Sequence, residues 1–200
     1  VPFFSKDFTA TALAPKESSG GGYLNPSSIS DGDSVRFCIL SEAPLEGVEI
    51  WFTKNDGGMT KRITPQHPDA ELLAQLEKQV GGTVTERDGR KAIKPCSAFF
   101  VYDYEAEAVK VFSANQKTLL AEIERLTSDE DYADLPQWDM KITRRGKGTD
   151  TKYSVDMVPT KRSNTKVAQA VINAWDEVCS AGADLEALYE GGNPFGGTKS

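Results

Sequence analysis

Polar and apolar residues alternate along Ser34-Val-Arg-Phe-Cys-Ile-Leu40 and Gly47-Val-Glu-Ile-Trp-Phe-Thr53. This is the period of half-buried strands, with Val35, Phe37, Ile39 and Val48, Ile50, Phe52 turned inward and Arg36 and Trp51 on the opposite faces. Asn55-Asp-Gly-Gly58 is a turn signal. The period then changes. Pro68 opens a segment in which Leu72, Leu73, Leu76 and Val80 recur at helical spacing, and Gly81-Gly82 stops it, so one helix is expected between strands. Ser97-Ala-Phe-Phe-Val-Tyr-Asp-Tyr104 is an aromatic strand that turns at Glu105-Ala-Glu107 and returns along Val109-Lys-Val-Phe112. A helix follows over Asn115–Leu126, capped by Asn115 or Ser113, with Leu119, Leu120, Ile123 and Leu126 on one side. Beyond the acid-rich loop around Asp129-Glu-Asp131, Trp138–Thr143 and Thr151–Val158 form a second hairpin around Arg144-Arg-Gly-Lys-Gly148. The last periodic stretch, Thr165–Ala181, is helical through Val167, Val171, Ile172, Trp175 and Val178.

Residues 1–33, with Pro2, Pro15, Pro26 and the run Ser18-Ser-Gly-Gly-Gly22, read as an N-terminal arm, whose Pro2-Phe-Phe4 and Phe8 are able to dock on the core. Residues 34–160 read as one domain of α+β class: a five-stranded Greek-key OB-fold barrel with an inserted helix, in which a helix precedes the last hairpin and plugs one end. A ferredoxin-like sandwich is the second choice. Residues 161–200 read as a C-terminal helix and an acidic flexible tail, the run Gly191–Gly197 being mobile.

The chain has 200 residues, 38% of them hydrophobic, and a formal charge of −7, which excludes a uniformly cationic nucleic-acid packager. The charge is unevenly spread. From Lys141 to Lys166 eight cations face two acids, so that segment carries +6 and the rest of the chain −13. One face is thus suited to a polyanion and another to a basic partner. Cys38, Cys96 and Cys179 are odd in number and lack zinc or disulfide spacing, which points to a reducing, cytoplasmic setting. Cys38 reads as a small core residue. No apolar run reaches a membrane span, and no signal peptide is seen.

Catalysis finds no footing in these residues. His67 is the single histidine and lies in a turn, the acids of Asp129-Glu-Asp131 cluster in a polar loop, and Asp31-Gly-Asp33 reads as a turn better than as a metal loop. No enzyme activity, metal or cofactor is expected. Recognition of unpaired bases is better supplied. Aromatic faces stack on bases regardless of sequence, and cations hold the phosphates. Trp51, Tyr102 and Tyr104 are the expected stacking surfaces. Arg36, Lys54, Arg62, Arg144, Arg145, Lys147 and Lys152 are the expected phosphate contacts, with Tyr153 beside them. Lys61, Arg87, Arg90, Lys91 and Lys94 would line the same groove. Gly146-x-Gly148 alone is a weak signal, and a hairpin tip kept soluble by charge explains the same letters.

The ordered set of Val101-Tyr-Asp-Tyr104, Val109-Lys-Val-Phe112, Asn115-Gln-Lys117 and the segment from Asp139 to Ser154 resembles the single-stranded-DNA-binding proteins of tailed bacteriophages. The resemblance extends upstream to Tyr23-Leu-Asn-Pro26, Arg36–Leu40 and Gly47–Trp51 and covers well over half the chain. It implies an oligonucleotide-binding barrel without enzymatic activity, protection of replication or recombination intermediates, and action in the host-cell cytoplasm. Some members of that family hold a structural zinc through cysteine and histidine; those ligands are missing here. Such proteins often end in an acidic tail that recruits replication proteins. Here Asn164–Ser200 carries −3, and Thr198-Lys-Ser200 follows Phe195. The rival reading is a protein-interaction adaptor that docks a basic partner on its acidic face, and a metal-dependent nuclease stands third.

Overall fold

Both alternating segments fold as strands, β2 (Ser34–Ile39) and β3 (Leu45–Lys54), and what surrounds them follows from where their two faces are buried. The computed structural model describes residues 22–196. The other strands are β1 (Tyr23–Leu24), β4 (Met59–Thr64), β5 (Gly82–Val84), β6 (Glu86–Arg87), β7 (Arg90–Lys91), β8 (Ile93–Asp103), β9 (Ala108–Ala114), β10 (Trp138–Arg145) and β11 (Lys152–Pro159). The helices are α1 (Ala70–Val80), α2 (Lys117–Thr127) and α3 (Thr165–Ser180). Asp69 caps α1 by accepting from Leu72 N, and Asn164 caps α3 in the same way, each satisfying amides that a helix start leaves unpaired. Among the described residues no helix is long and apolar enough to cross a membrane.

The long strand β8 organises the sheet. One edge pairs with β9; the other pairs with β3 over Ile93–Ala98 and with β2 over Val101–Asp103. The hydrogen-bonded path runs β1-β9-β8-β2-β10-β11, with β3 also carrying β4 and β5. Among the described residues only β1 pairs in parallel. No ladder among the described residues joins β11 to β1 or β9, so the sheet is open. The fold is therefore α+β on a large open sheet, and this pairing does not confirm the five-stranded Greek-key OB-fold barrel expected from the sequence. Part of the β9 edge is taken up by Tyr23 and Leu24 of β1. These residues belong to the stretch read as an arm, so its end is part of the sheet. The docking of Pro2-Phe-Phe4 and Phe8 lies outside the described residues.

Each face of the sheet has its own core. On one, Phe37, Phe99, Val101, Phe112, Met140 and Ile142 pack under α2 through Leu119, Ile123 and Leu126. On the other, Cys38, Phe100, Tyr102, Val109 and Val111 are covered by α3 through Val171 and Trp175 and by the segment after it. A smaller cluster sets Ile50 and Phe52 of β3 against Leu73 and Leu76 of α1. Ile172, counted with the apolar stripe of α3, instead points outward at 51% exposure.

The segment read as a mobile tail is packed as far as Gly196. Tyr189 Oη donates to Glu46 O at 2.6 Å, and the Phe195 ring lies edge-on to Phe100 with centroids 5.7 Å apart. Gly196 has φ +70° and its missing side chain faces Ala181 O, so only glycine fits there. Stripping α3 and this segment from the sheet would re-expose several large side chains, each costing about 1.5–3 kcal/mol.

Asp139 ties this layer to the sheet. Fully buried in β10, it accepts from Arg36 Nε and Nη2 at 3.0 and 2.8 Å, from Tyr104 Oη and Thr160 Oγ1 at 2.8 Å each, and from Lys161 N at 2.9 Å. Removing Asp139 leaves part-buried Arg36 and the donors Tyr104 Oη, Thr160 Oγ1 and Lys161 N without their acceptor, at a cost of about 2–4 kcal/mol. Asp139→Ala is expected to lose that much stability in urea unfolding followed by circular dichroism. A loss below about 1 kcal/mol, the worth of an ordinary exposed ion pair, would contradict the role given to this carboxylate.

Candidate nucleic-acid interface

A cleft of about 780 Å³ opens where β3 runs past the end of β9. Trp51 lines it from β3, Lys61 from β4, Lys94 from β8, and Arg87, Arg90 and Lys91 from the β6–β7 hairpin. Asn25–Ser27 form one wall and Ser113–Gln116 another. The hairpin exists because Asp88 and Gly89 both take positive φ, 51° and 70°, the geometry of a two-residue type I′ turn that Asp-Gly favours. Charge in the cleft is predominantly positive, with Glu49 and Asp88 as the carboxylates.

Glu49 is 3% exposed, yet it does not repel an anion in the cleft because its oxygens are committed inside. Oε1 accepts from Trp51 Nε1 at 2.6 Å and from Asn115 Nδ2 at 2.6 Å; Oε2 accepts from Lys61 Nζ at 2.8 Å. Trp51 and Lys61 are cross-strand partners, and Lys61 Nζ lies 5.8 Å from the centre of the indole ring. The indole is thereby held by its N–H while its half-buried ring lines the cleft. The same contact explains why Gln116, rather than Asn115 or Ser113, occupies the cap position of α2: the Asn115 side chain is spent on Glu49.

The remaining predicted residues divide sharply. Tyr102 is 4% exposed and packed beneath α3, so it cannot stack on a base; burial also pushes its phenol upward in pKa. Tyr104 is half-buried, bonded to Asp139, with Lys161 Nζ 4.9 Å from its ring centre. Burial, with Cys38 and Asp139 beside it, drives its phenol far above the ordinary range. Arg36 is committed to Asp139 and to Pro159 O, not to an external phosphate. Arg144 Nη1 donates to Ser27 O and Ile29 O at 2.7 and 2.8 Å and is a clamp. Arg62 donates to Lys61 O and lies against Gly191. Tyr153 is half-buried against the α2-side core, and Lys54 is half-buried at the end of β3. Arg145, Lys147 and Lys152 remain exposed, but no residue of the β10–β11 hairpin lines the Trp51 cleft.

The hairpin and the cleft are linked indirectly. Arg144 grips Ser27, whose segment walls the cleft, and Gly146 N donates to Asp31 Oδ1 at 2.8 Å. Asp31-Gly-Asp33 is a turn, with Gly32 at φ +86°. Among the described residues no group of His, Cys, Asp and Glu could hold a metal ion. Of the cations in the cleft, Lys94 opens the strand expected from the sequence, whereas Lys61, Arg87, Arg90 and Lys91 lie on β4 and the β6–β7 hairpin, which the alternation does not reveal. Asp88-Gly89 between Glu86-Arg87 and Arg90-Lys91 was the available signal.

Cys96, cross-strand from Gly47 beside the cleft, has its thiol pushed up to about 11 by burial, with Glu49 adding to the shift. Cys38 is likewise raised by burial, whereas Cys179 is exposed. Reactivity requires the thiolate, so at pH 8 a disulfide reagent is expected to titrate one thiol quickly, Cys179, and the other two only after unfolding. An unfolded thiol ionises near 9.0 while folded Cys96 keeps its proton to about 11, so stability falls as pH rises through that interval. Two or three fast thiols at pH 8 would refute this. No family model, no curated protein and no solved structure matches the chain.

Proposed function

We propose that the chain binds single-stranded DNA without sequence preference, with Trp51 as its stacking surface and Arg87, Arg90, Lys91 and Lys94 as its phosphate contacts. The observation that carries this reading is the joining of a held indole to a cationic hairpin in one cleft. Unpaired bases offer flat faces to an indole, and duplex DNA does not. Arg145, Lys147 and Lys152, exposed beyond the Asn25–Ile29 segment, extend the path for the backbone.

The fold supports the same reading. Taken as one bent strand along the edge of β8, β2 and β3 give the path β9-β8-(β2/β3)-β10-β11, with α2 before the last hairpin and buried against the core. A partly open Greek-key barrel of the oligonucleotide-binding class has five strands and such a helix. The resemblance of Ala98–Val155 to phage single-stranded-DNA-binding proteins supplies the setting, protection of unpaired strands during replication or recombination in the host cytoplasm. Binding alone accounts for the site, with no chemical step.

Each stacked base contributes about 1–3 kcal/mol, so Trp51→Ala is expected to weaken binding of a labelled oligo-dT by roughly 5- to 150-fold in an anisotropy titration. Neutralising four phosphates of a single strand gives a log–log salt slope near −3. Arg90→Glu with Lys91→Glu should flatten that slope by about 1.4 units, and Tyr102→Phe should leave affinity within twofold. Unchanged affinity in the Trp51 variant, or a salt-independent constant, would overturn the proposal.

A further inference from the structure

One register step along the β3–β8 ladder from the Trp51 cleft lies a second concavity of about 810 Å³, of opposite character. The pairs Gly47–Cys96 and Val48–Pro95 line this groove, and the next pair, Glu49–Lys94, lines the cleft. Its floor is apolar: Ile39, Val48, Phe99, Leu120, Ile123 and Leu135 come to it from β2, β3, β8, α2 and the turn before β10. Ile39, Val48, Leu120 and Leu135 are only half-buried, so apolar surface is left uncovered. Pro44, Pro65 and Pro95 stand in the walls, where fixed φ limits collapse of the opening.

The rim is anionic. Glu42 and Glu46 rise on one side and Glu124 of α2 on the other, all three exposed. None forms an ion pair with a described residue, and no lysine or arginine among the described residues lines the groove. An apolar floor between unpaired carboxylates disfavours a polynucleotide and suits a ligand with apolar anchors in its middle and cations at both ends. The volume is within the range of about 300–1,000 Å³ of small-ligand pockets. Carboxylates on facing walls favour a short chain that spans the opening over a compact molecule.

We propose that this groove docks a peptide segment of a partner protein, one with large apolar side chains flanked by lysine or arginine. The groove is separate from the Trp51 cleft and opposite to it in charge, so a partner seated there sits beside a bound strand without competing for its contacts.

The test uses the full chain and a fluorescein-labelled heptapeptide, leucine-phenylalanine-leucine between two pairs of lysines, followed by anisotropy. Saturable binding is expected, weakened at least about tenfold, or 1.4 kcal/mol, by Glu42→Lys with Glu46→Lys and separately by Leu120→Ser. Glu105→Lys with Glu107→Lys, the same change in net charge at the exposed β8–β9 turn, should leave affinity unchanged. A peptide with serines at its centre should not bind. The proposal is overturned by absent or non-saturable binding, by equal loss in the Glu105/Glu107 control, or by unchanged affinity in the groove variants. It is overturned too if removal of residues 1–21 tightens binding tenfold or more, which would assign the groove to the chain's own N-terminal segment. A dimer in sedimentation that the Glu42/Glu46 reversal dissociates would assign it to a second copy.

Discussion

A buried carboxylate fixes what the cleft can do. Glu49 is withdrawn from water and offset by three donors from three elements, the indole of β3, the ammonium of β4 and the amide that precedes α2. In a medium of low dielectric such charge-assisted bonds are strong, and an unpaired carboxylate there would be costly. The network therefore holds the ring plane of Trp51 in place before any ligand arrives. Ordering a free indole on binding costs entropy that a held one does not.

Two buried carboxylates divide the labour of the molecule. Asp139 joins β2, β10 and the end of β8 to the turn that launches α3, and so keeps that helix on the face where Phe100 and Tyr102 lie. Glu49 organises the part of β3 beyond the reach of α3. The same sheet is sealed at one end and open at the other, and the rings of the aromatic strand lie in its two cores. The charge arrangement agrees with this division: cations gather around Trp51, and carboxylates gather around the neighbouring apolar groove.

Much of the frame was legible in the sequence. Alternation in Ser34–Leu40 and Gly47–Thr53, the Gly81 stop of α1, and the Thr165 start of α3 rest on local rules that the structure obeys, while α1 begins at Ala70 behind the Asp69 cap and not at Pro68. The pairing of Tyr23 and Leu24 with β9 was not legible, because it is non-local and a two-residue strand has no period. Strand β4 was hidden for a related reason: in Met59-Thr-Lys-Arg-Ile-Thr64 only Ile63 and Thr64 are buried, and its partner β3 supplies the rest of the apolar surface. At the site, Trp51 stood out by its polar neighbours Glu49 and Thr53, and Glu49 lines the cleft with it. Tyr102 and Arg36 look the same in sequence as free ligands would; their partners, α3 and Asp139, lie far along the chain.

The indole N–H signals of the three tryptophans test the central claim most directly. In a nitrogen–proton correlation spectrum titrated with oligo-dT, the Trp51 signal should shift progressively to saturation, while Trp138, edge-on to Tyr132, and Trp175, packed on Phe100, stay in place. Movement of Trp175 with Trp51 unmoved would place the strand on the α3 face and contradict the account.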